Sequence, residues 1–502
     1  MQTNPVDWEQ TTPIQGSRHS YLATYFVLFV AWVAVSWPAF AQFWWHADDY
    51  TRAISFDPWF SVGQGRPLEI LVPYLIHQDY LLQSLWFHQA IRLLQAALHL
   101  LTALLLIRFF RPLVGYWVAC GAVLFFLFWP FHAEAVLWIS ALAYPWAAAM
   151  SLWGLLLIGR TERRYRWLGT FVVVGAMFTN QAAALAALVA WTIFHGIFFV
   201  QQNRFKEGLI QEGILLALGY LVGGVLSRLM IFWIHHGAAR AAWAGSVREK
   251  LAFWVELNRQ YLASPNYPWV LTILLLALVG LVVLLVIVQW WRRQVSTQQA
   301  TAVALLLALL SVLPYGVVLL TAESSPAWRI LYLAPLLSVL VWLLLHQLLP
   351  PHRWLRYGSA LVLVLFLSIV IPMNRWNAAD YVTVFQQDQA QLQRIEETAA
   401  RHQPPLHQVV IATYPDYLRT WELHDVTYMH YDSKKSAFLR DWTVVPFLEH
   451  FSTLAPIPAS NYPFFQDPVA VQACVTLCLA DDQQQPWQLL VMPDAQTLCV
   501  CP

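Results

Sequence analysis

The chain has 502 residues, 59% of them hydrophobic and only 11% charged, whereas soluble domains carry roughly 25% charged residues; this argues against a solvated globular enzyme. Its 29 basic residues nearly balance 28 acidic ones, which leaves no basic footprint for nucleic acid. The 27 tryptophans and plentiful aliphatic residues exclude a disordered chain, and a polytopic membrane protein remains.

A spanning helix takes about 20 mostly apolar residues, and in lipid the backbone must satisfy its own hydrogen bonds. In chain order the apolar stretches are 20–43, 86–109, 113–131, 137–158, 167–179, 181–200, 211–234, 269–291, 300–321, 328–349 and 354–372, which predicts eleven transmembrane helices. The first begins after residue 19 without a basic leader, so it reads as a retained helix instead of a cleaved signal. With the N-terminus cytoplasmic, the short inner loops 108–112, 159–166, 201–210, 292–299 and 350–356 hold twelve Lys and Arg residues. The short outer turns at 132–136 and 180 hold none, and 322–329 holds Arg329 alone. That asymmetry predicts an inner N-terminus; loops 44–85 and 235–268 then lie outside, and an odd helix count puts 373–502 outside as well. The expected organisation is a membrane domain over 1–372 and a small extracytoplasmic domain over 373–502. The compact length and the lack of an endoplasmic-reticulum retention tail favour a bacterial inner membrane.

In the tail, 383–402 is polar with Val384, Leu392 and Ile395 as a sparse apolar stripe, which predicts a surface helix. His407–Thr413, Val471–Leu479 and Trp487–Met492 read as strands, so the domain is expected to be α/β or α+β. Cys120 sits inside a spanning stretch as a small apolar residue. Cys474, Cys478, Cys499 and Cys501 leave three readings open: disulfides in an oxidising compartment, buried thiols, or a metal site of unusual spacing.

Polar residues near the membrane carry the functional signal, because a charge at the bilayer centre costs about 2.5–3.5 kcal/mol. Asp48 and Asp49 follow the first helix directly; adjacent carboxylates repel, which raises one pKa and suits a general base or an oxygen-ligand site for a divalent cation. They also read as solvated loop acids. Arg66, in the turn 63–69, is placed to hold a phosphate or to form an ion pair. His132 and Glu134 occupy the outer turn 130–136, where a capping or core role for His132 stands beside a catalytic one. Glu134, flanked by Ala133, Ala135 and Val136, needs a partner. Arg329 opens an otherwise apolar helix containing Tyr332; an arginine facing a cavity is a phosphate clamp, and snorkelling is the alternative. Arg228, inside 211–234, is expected to face protein or water. The loop 235–268 mixes Arg240, Arg248, Lys250 and Arg259 with aromatics and reads as an interfacial helix. His88 and His99 read as packed or hydrogen-bonded.

Four segments in order resemble the C-type (GT-C) integral-membrane glycosyltransferases, and most closely the core of the transmembrane-and-TPR O-mannosyltransferases and their bacterial relatives. These are Asp48-Asp49 after the first helix, Arg66-Pro67-Leu68, the Pro130–Val136 segment (like Pro-x-His-x-Glu-Ala-Val), and Arg329–Pro335 (like Arg-x-Leu-Tyr-Leu-Pro). The likeness spans roughly 20–345. It departs at Glu323, which is not adjacent to Arg329, at an extra Ala334, and at Asn180-Gln181 where relatives carry Lys-Glu; the TPR repeats are missing. The resemblance implies a GT-C-like fold and transfer of a sugar from a polyprenyl-phosphate donor to an acceptor hydroxyl on a glycan, lipid or protein, with inversion. By it Asp48 or Asp49 is the base, Glu134 assists, Arg329 and Arg66 hold the donor phosphate, and His132, Tyr332 and Arg228 support the site. No cofactor follows from it beyond a divalent cation on Asp48 and Asp49. The rival expectations are a lipid or oligosaccharide transporter or flippase, an O-antigen-type ligase or polymerase, and a scaffold.

Overall fold

A computed structural model describes residues 18–42, 58–82, 84–130, 132–234, 246–263, 269–321, 328–349, 353–402, 406, 408–411, 447–448, 452, 455–456, 458–459, 462–480, 488–492 and 497–501. The protein is an α-helical polytopic membrane protein. Among the described residues eight helices are long and apolar enough to cross a membrane, and Thr24–Val35 and Tyr116–Leu127 are shorter apolar helices. Arg163–Thr179, also helical, opens with the basic turn Arg163, Arg164 and Arg166. Each of the eleven expected stretches therefore contains helix.

The helices used below are α1 (Arg18–Val35), α2 (Leu71–Leu82), α3 (Leu85–Val114), α4 (Tyr116–Leu127), α5 (His132–Leu137), α6 (Ala143–Ile158), α7 (Arg163–Thr179), α8 (Ala186–Gln202) and α9 (Leu209–Ile234). There follow α10 (Val247–Ala263), α11 (Trp269–Trp291), α12 (Thr297–Leu310), α13 (Leu336–Leu348) and α14 (Arg353–Arg401), and α15 (Pro468–Ala480) lies in the tail. Long α3 is free of glycine, keeps Arg108 and Arg111 in its final turns where the helix dipole favours them, and ends at Gly115, whose φ of 80° suits glycine. A capping box, Ser296 with Gln299, starts α12.

Helices α6, α7 and α9 pack through small residues, as membrane helices do without a hydrophobic drive between them. A Cβ on Gly169 would lie 2.5 Å from the Gly154 carbonyl oxygen, and one on Gly223 would lie 2.8 Å from the Met177 Cβ. Thr170 donates to the Leu215 carbonyl at 3.4 Å where α7 meets α9.

Several expectations are corrected. The loop 44–85 contains helix over Pro58–Gly63, a 3₁₀ turn over Pro67–Ile70, and α2. The outer turn at 132–136 is the short helix α5. The helix expected within 235–268 is present as α10; it buries Phe253, Leu257 and Tyr261 against protein, and Tyr261 meets Ser338 Oγ at 2.6 Å. No break separates the last span from the tail helix. One helix of 49 residues, α14, runs from Arg353 to Arg401 through Pro372. Its middle is held from outside: Asn374 donates to the Phe128 carbonyl at 2.7 Å, and the stretch 373–382 contains no glycine.

Beyond α14 a four-stranded sheet has the order β2-β1-β6-β5, with β1 (Gln408–Ile411), β2 (Ala455–Pro456), β5 (Gln488–Val491) and β6 (Thr497–Cys501), and β3 (Pro458–Ala459) and β4 (Tyr462–Gln466) form a separate antiparallel pair. β1 runs parallel to β2 and β6, and β5 runs antiparallel to β6. Alternation decides the layers. Val409, Ile411, Leu498 and Val500 join the core that contains Leu392, Ile395 and Ala399 of α14, while Val410 and Cys499 face Val471, Cys474, Val475 and Cys478 of α15. Both faces of the sheet are covered, so β1 reads as an unbroken apolar run.

The expected strand Val471–Leu479 is instead α15. Its β-branched content suggests a strand, but the 3-4-7 spacing of Val471, Cys474, Val475 and Cys478 is helical. Asp467 also accepts the Val469 N–H at 3.0 Å, with Pro468 at the first position. Cys474 and Cys499 form a disulfide, and Cys120 is a free thiol.

Candidate functional site

The site is assembled from segments about 200 residues apart. α5 packs against the 3₁₀ turn Trp328–Leu333, which brings the Pro130–Val136 and Arg329–Pro335 segments together. His132 Nε2 lies 2.8 Å from the Tyr332 carbonyl oxygen. A carbonyl only accepts, so His132 carries its proton on Nε2 and donates it there. Burial pushes the His132 pKa down to about 4, against the opposing pull of the Tyr332 and Phe126 backbone, so the ring is neutral at neutral pH. It is packed against His99, Phe126 and Tyr332, with ring centroids at 4.5, 4.6 and 4.7 Å.

Tyr332 is held at its other end too. Its hydroxyl lies 2.9 Å from His99 Nδ1, and His99 Nε2 lies 3.1 Å from the Leu127 carbonyl oxygen. Nε2 must donate to that carbonyl, which leaves neutral His99 with Nδ1 as an acceptor for the Tyr332 hydroxyl. The Leu127 carbonyl also accepts from Trp32 Nε1 at 3.0 Å. Trp129 closes one side, its ring tilted against Tyr261 of α10 at 5.0 Å between centroids.

His99 belongs to a larger feature. Along α3, His88, Arg92, Gln95, His99 and Thr102 are fully buried at 4-3-4-3 spacing on one face, a row of about 21 Å at 1.5 Å per residue. His88 Nδ1 pairs with Asp79 Oδ2 of α2 at 2.7 Å. Arg92 donates to the Ala39 carbonyl at 3.2 Å, Gln95 to Trp138 at 2.7 Å and Thr102 to Pro145 at 3.3 Å. Sequence reasoning set His88 and His99 aside as packed residues and passed over Arg92 and Gln95. The signal was present: polar residues recurring every three or four positions inside an apolar helix mark a face turned to protein.

Arg66 is engaged. Its Nε donates to Gln181 Oε1 at 2.8 Å, and Nη1 pairs with the buried Glu69 at 3.3 Å. Gln181 in turn donates to the Gly65 carbonyl at 3.0 Å. Gly65, with φ at 73°, sits so close to α9 that a Cβ there would lie 2.7 Å from the Ser227 carbonyl oxygen. Half-buried Arg228 is the next residue. Arg66 therefore braces its turn against Gln181, just past α7, and its bond to Glu69 is the ion-pair alternative. Its side chain keeps 28% exposure.

Asp48, Asp49 and Glu323 lie outside the described residues, and with them the divalent-cation expectation. Glu134 and Arg329 are placed by their backbones alone: Glu134 in α5, two residues after His132, and Arg329 in the 3₁₀ turn, three residues before Tyr332. Among the described residues one group of metal-ligand type appears, Cys474, Cys478 and Cys499, and all three are disulfide-bonded, Cys474 to Cys499. In this arrangement two neutral histidines and one tyrosine fix the backbones that carry an acid and an arginine. Searches for a matching family model, curated protein or solved structure return nothing that matches the chain.

Proposed function

We propose that this protein is a GT-C-type glycosyltransferase that moves a sugar from a polyprenyl-phosphate donor to an acceptor hydroxyl at the outer membrane face, with inversion. The observation that carries this reading is the His132–Tyr332 bond, which joins the Pro130–Val136 segment, the most specific of the resemblance, to the Arg329–Pro335 segment. The 3₁₀ repeat of three residues sets Arg329 and Tyr332 on one edge of their turn, and α5 sets Glu134 beside that turn. Arg92 holds the Ala39 carbonyl, at the root of the segment that leads to Asp48 and Asp49.

In the reaction, Asp48 or Asp49 takes the proton of the acceptor hydroxyl, with Glu134 assisting. The acceptor oxygen forms a bond to the anomeric carbon from the face opposite the phosphate. The bond from that carbon to the phosphate oxygen breaks, and the polyprenyl phosphate leaves with its charge balanced by Arg329. His132 and Tyr332 are positioning residues. Arg66 holds the loop that follows Asp48 and Asp49, and Arg228 lines the same corner. Eleven spans with the N-terminus inside place the sheet and α15 outside, on the acceptor side, in a bacterial inner membrane. The partners are the lipid-linked sugar, an acceptor glycan, lipid or protein, and bilayer lipid.

The test uses the full-length protein in vesicles with a panel of radiolabelled polyprenyl-phosphate hexoses, and reads transferred label and released polyprenyl phosphate. Loss of base assistance in Asp48→Asn, Asp49→Asn or Glu134→Gln is expected to lower turnover by about 10²–10⁴-fold in at least one variant, and Arg329→Ala is expected to weaken use of donor. Full turnover in all three acid variants, or no transfer from any donor by the unaltered protein, defeats the reading.

A further inference from the structure

At the membrane face opposite Arg66 and Gln181, the first turns of α7 and α9 enclose a cavity of about 1060 Å³. The two ends of α7 are about 25 Å apart, at 1.5 Å per residue. The helices touch at Thr170 and Leu215 and leave the cavity between their starts. The cavity has two halves of different chemistry. Its walls along the helices are apolar and open: Trp167 is 39% exposed, Phe205 64%, Ile210 77% and Ile214 61%. Its mouth is basic, lined by Arg163, Arg166 and Lys206.

The charges of that mouth are unevenly spent. Lys206 pairs with Glu212 at 3.1 Å, and Glu212 also meets His195. Arg166 donates to the Arg160 carbonyl and to the Gln211 side-chain oxygen, both neutral acceptors, so its charge is not cancelled. The Arg163 side chain makes no ion pair or hydrogen bond among the described residues. Nearby Glu162 is occupied by Arg164 at 2.7 Å. Two arginines thus stand against one lining carboxylate, Glu207.

We propose that this cavity binds an anionic phospholipid, its phosphate at Arg163 and Arg166 and an acyl chain along Trp167, Ile210 and Ile214. Charge complementarity selects an anion, and basic pockets between spanning helices on the positive face take such headgroups. The apolar wall selects the lipid over a water-soluble phosphate compound, which would leave those large side chains bare. The site is independent of the transferase reading, because it lies at the other end of α7.

The experiment is saturable lipid binding to the purified full-length protein in detergent, read by native mass spectrometry and by the unfolding temperature. The probes are phosphatidylglycerol, phosphatidylcholine and glycerol phosphate. Phosphatidylglycerol is expected to bind and to raise the unfolding temperature where phosphatidylcholine does not. Arg163→Gln is expected to weaken it roughly five- to tenfold, Ile210→Ser is expected to weaken it through the chain, and Arg292→Gln on another basic loop should leave it unchanged. Both test residues are exposed, and an unfolding temperature without lipid equal to that of the unaltered protein checks each variant's integrity. Equal binding of phosphatidylcholine, or equal loss in Arg292→Gln, would mean general charge attraction to bilayer lipid and overturn the site. Glycerol phosphate binding as tightly as the lipid would overturn the choice of occupant.

Discussion

Tyr332→Phe tests whether the His99–Tyr332–His132 network is what holds the two segments together. The substitution keeps the ring, and it keeps the Tyr332 carbonyl that accepts from His132. It removes one atom group, the hydroxyl 2.9 Å from His99 Nδ1, and so leaves a fully buried acceptor without its donor. An unsatisfied buried group costs about 1–3 kcal/mol, while side-chain hydrogen bonds measured within membranes average about 0.6 and reach about 1.7 kcal/mol. The expected destabilisation is therefore about 1–2 kcal/mol. His99→Leu removes the other partner, and the Leu127 carbonyl still receives Trp32 Nε1, so its loss should be of similar size. In the double variant neither group is stranded, and a coupling of about 1 kcal/mol is expected from the cycle. The assay is reversible denaturant unfolding in mild detergent for wild type, both singles and the double. Losses that add to within about 0.3 kcal/mol would show that the two groups do not share a bond.

Three further outcomes follow from the geometry. His132 is held near a pKa of about 4 when folded, against 6.5 in an open chain; the unfolded chain binds more protons in that window, so stability is complete above pH 6.5 and falls as pH drops toward 4. The shift corresponds to roughly 3 kcal/mol, and His132→Asn should flatten that part of the pH profile; an unchanged slope would refute the assignment. Gly169→Val drives a side chain into the Gly154 carbonyl and should cost about 1–3 kcal/mol, seen as a lower unfolding temperature, with no effect expected at exposed Gly280. The Cys474–Cys499 disulfide, spanning 25 residues, should appear as one crosslinked peptide by non-reducing mass spectrometry, and Cys474→Ser should destabilise the sheet by about 3–4 kcal/mol.

Hydropathy was enough to find the long apolar helices, because a spanning segment must be apolar along its length and few other structures satisfy that, but it left α2 and α5 as loop. It could not find where α14 ends. Hydropathy falls at 373, yet a helix persists wherever propensity and side-chain anchors such as Asn374 sustain it. α15 was misread because its valines and threonine favour strands, while the helical spacing of its buried positions and the Asp467-Pro468 start pointed the other way. Within the site, Arg329, His132 and Glu134 stood out as polar residues in apolar surroundings. The α3 row did not, because His88, Arg92, Gln95 and His99 are diluted by leucine and alanine and become a face only when wound on a helix. For Arg66 the sequence left phosphate binding and an ion pair side by side and could not name its partners. Its partner Gln181 lies 115 residues away, a contact that depends on the fold.

The continuity of α14 makes it a shaft and not a tether. Forty-nine residues at 1.5 Å each give about 73 Å, of which the bilayer core takes about 30 Å, and the remainder ends in the layer that packs on β1 and β6. A flexible linker absorbs a one-residue deletion without consequence. A helical shaft converts it into a turn of about 100° and a shortening of 1.5 Å, so the sheet would be aimed in a different direction over the membrane. The angular setting of the tail relative to α5 and Tyr332 is thus written into the residue count between Asn374 and Arg401, and insertions there are tolerated in steps of whole turns.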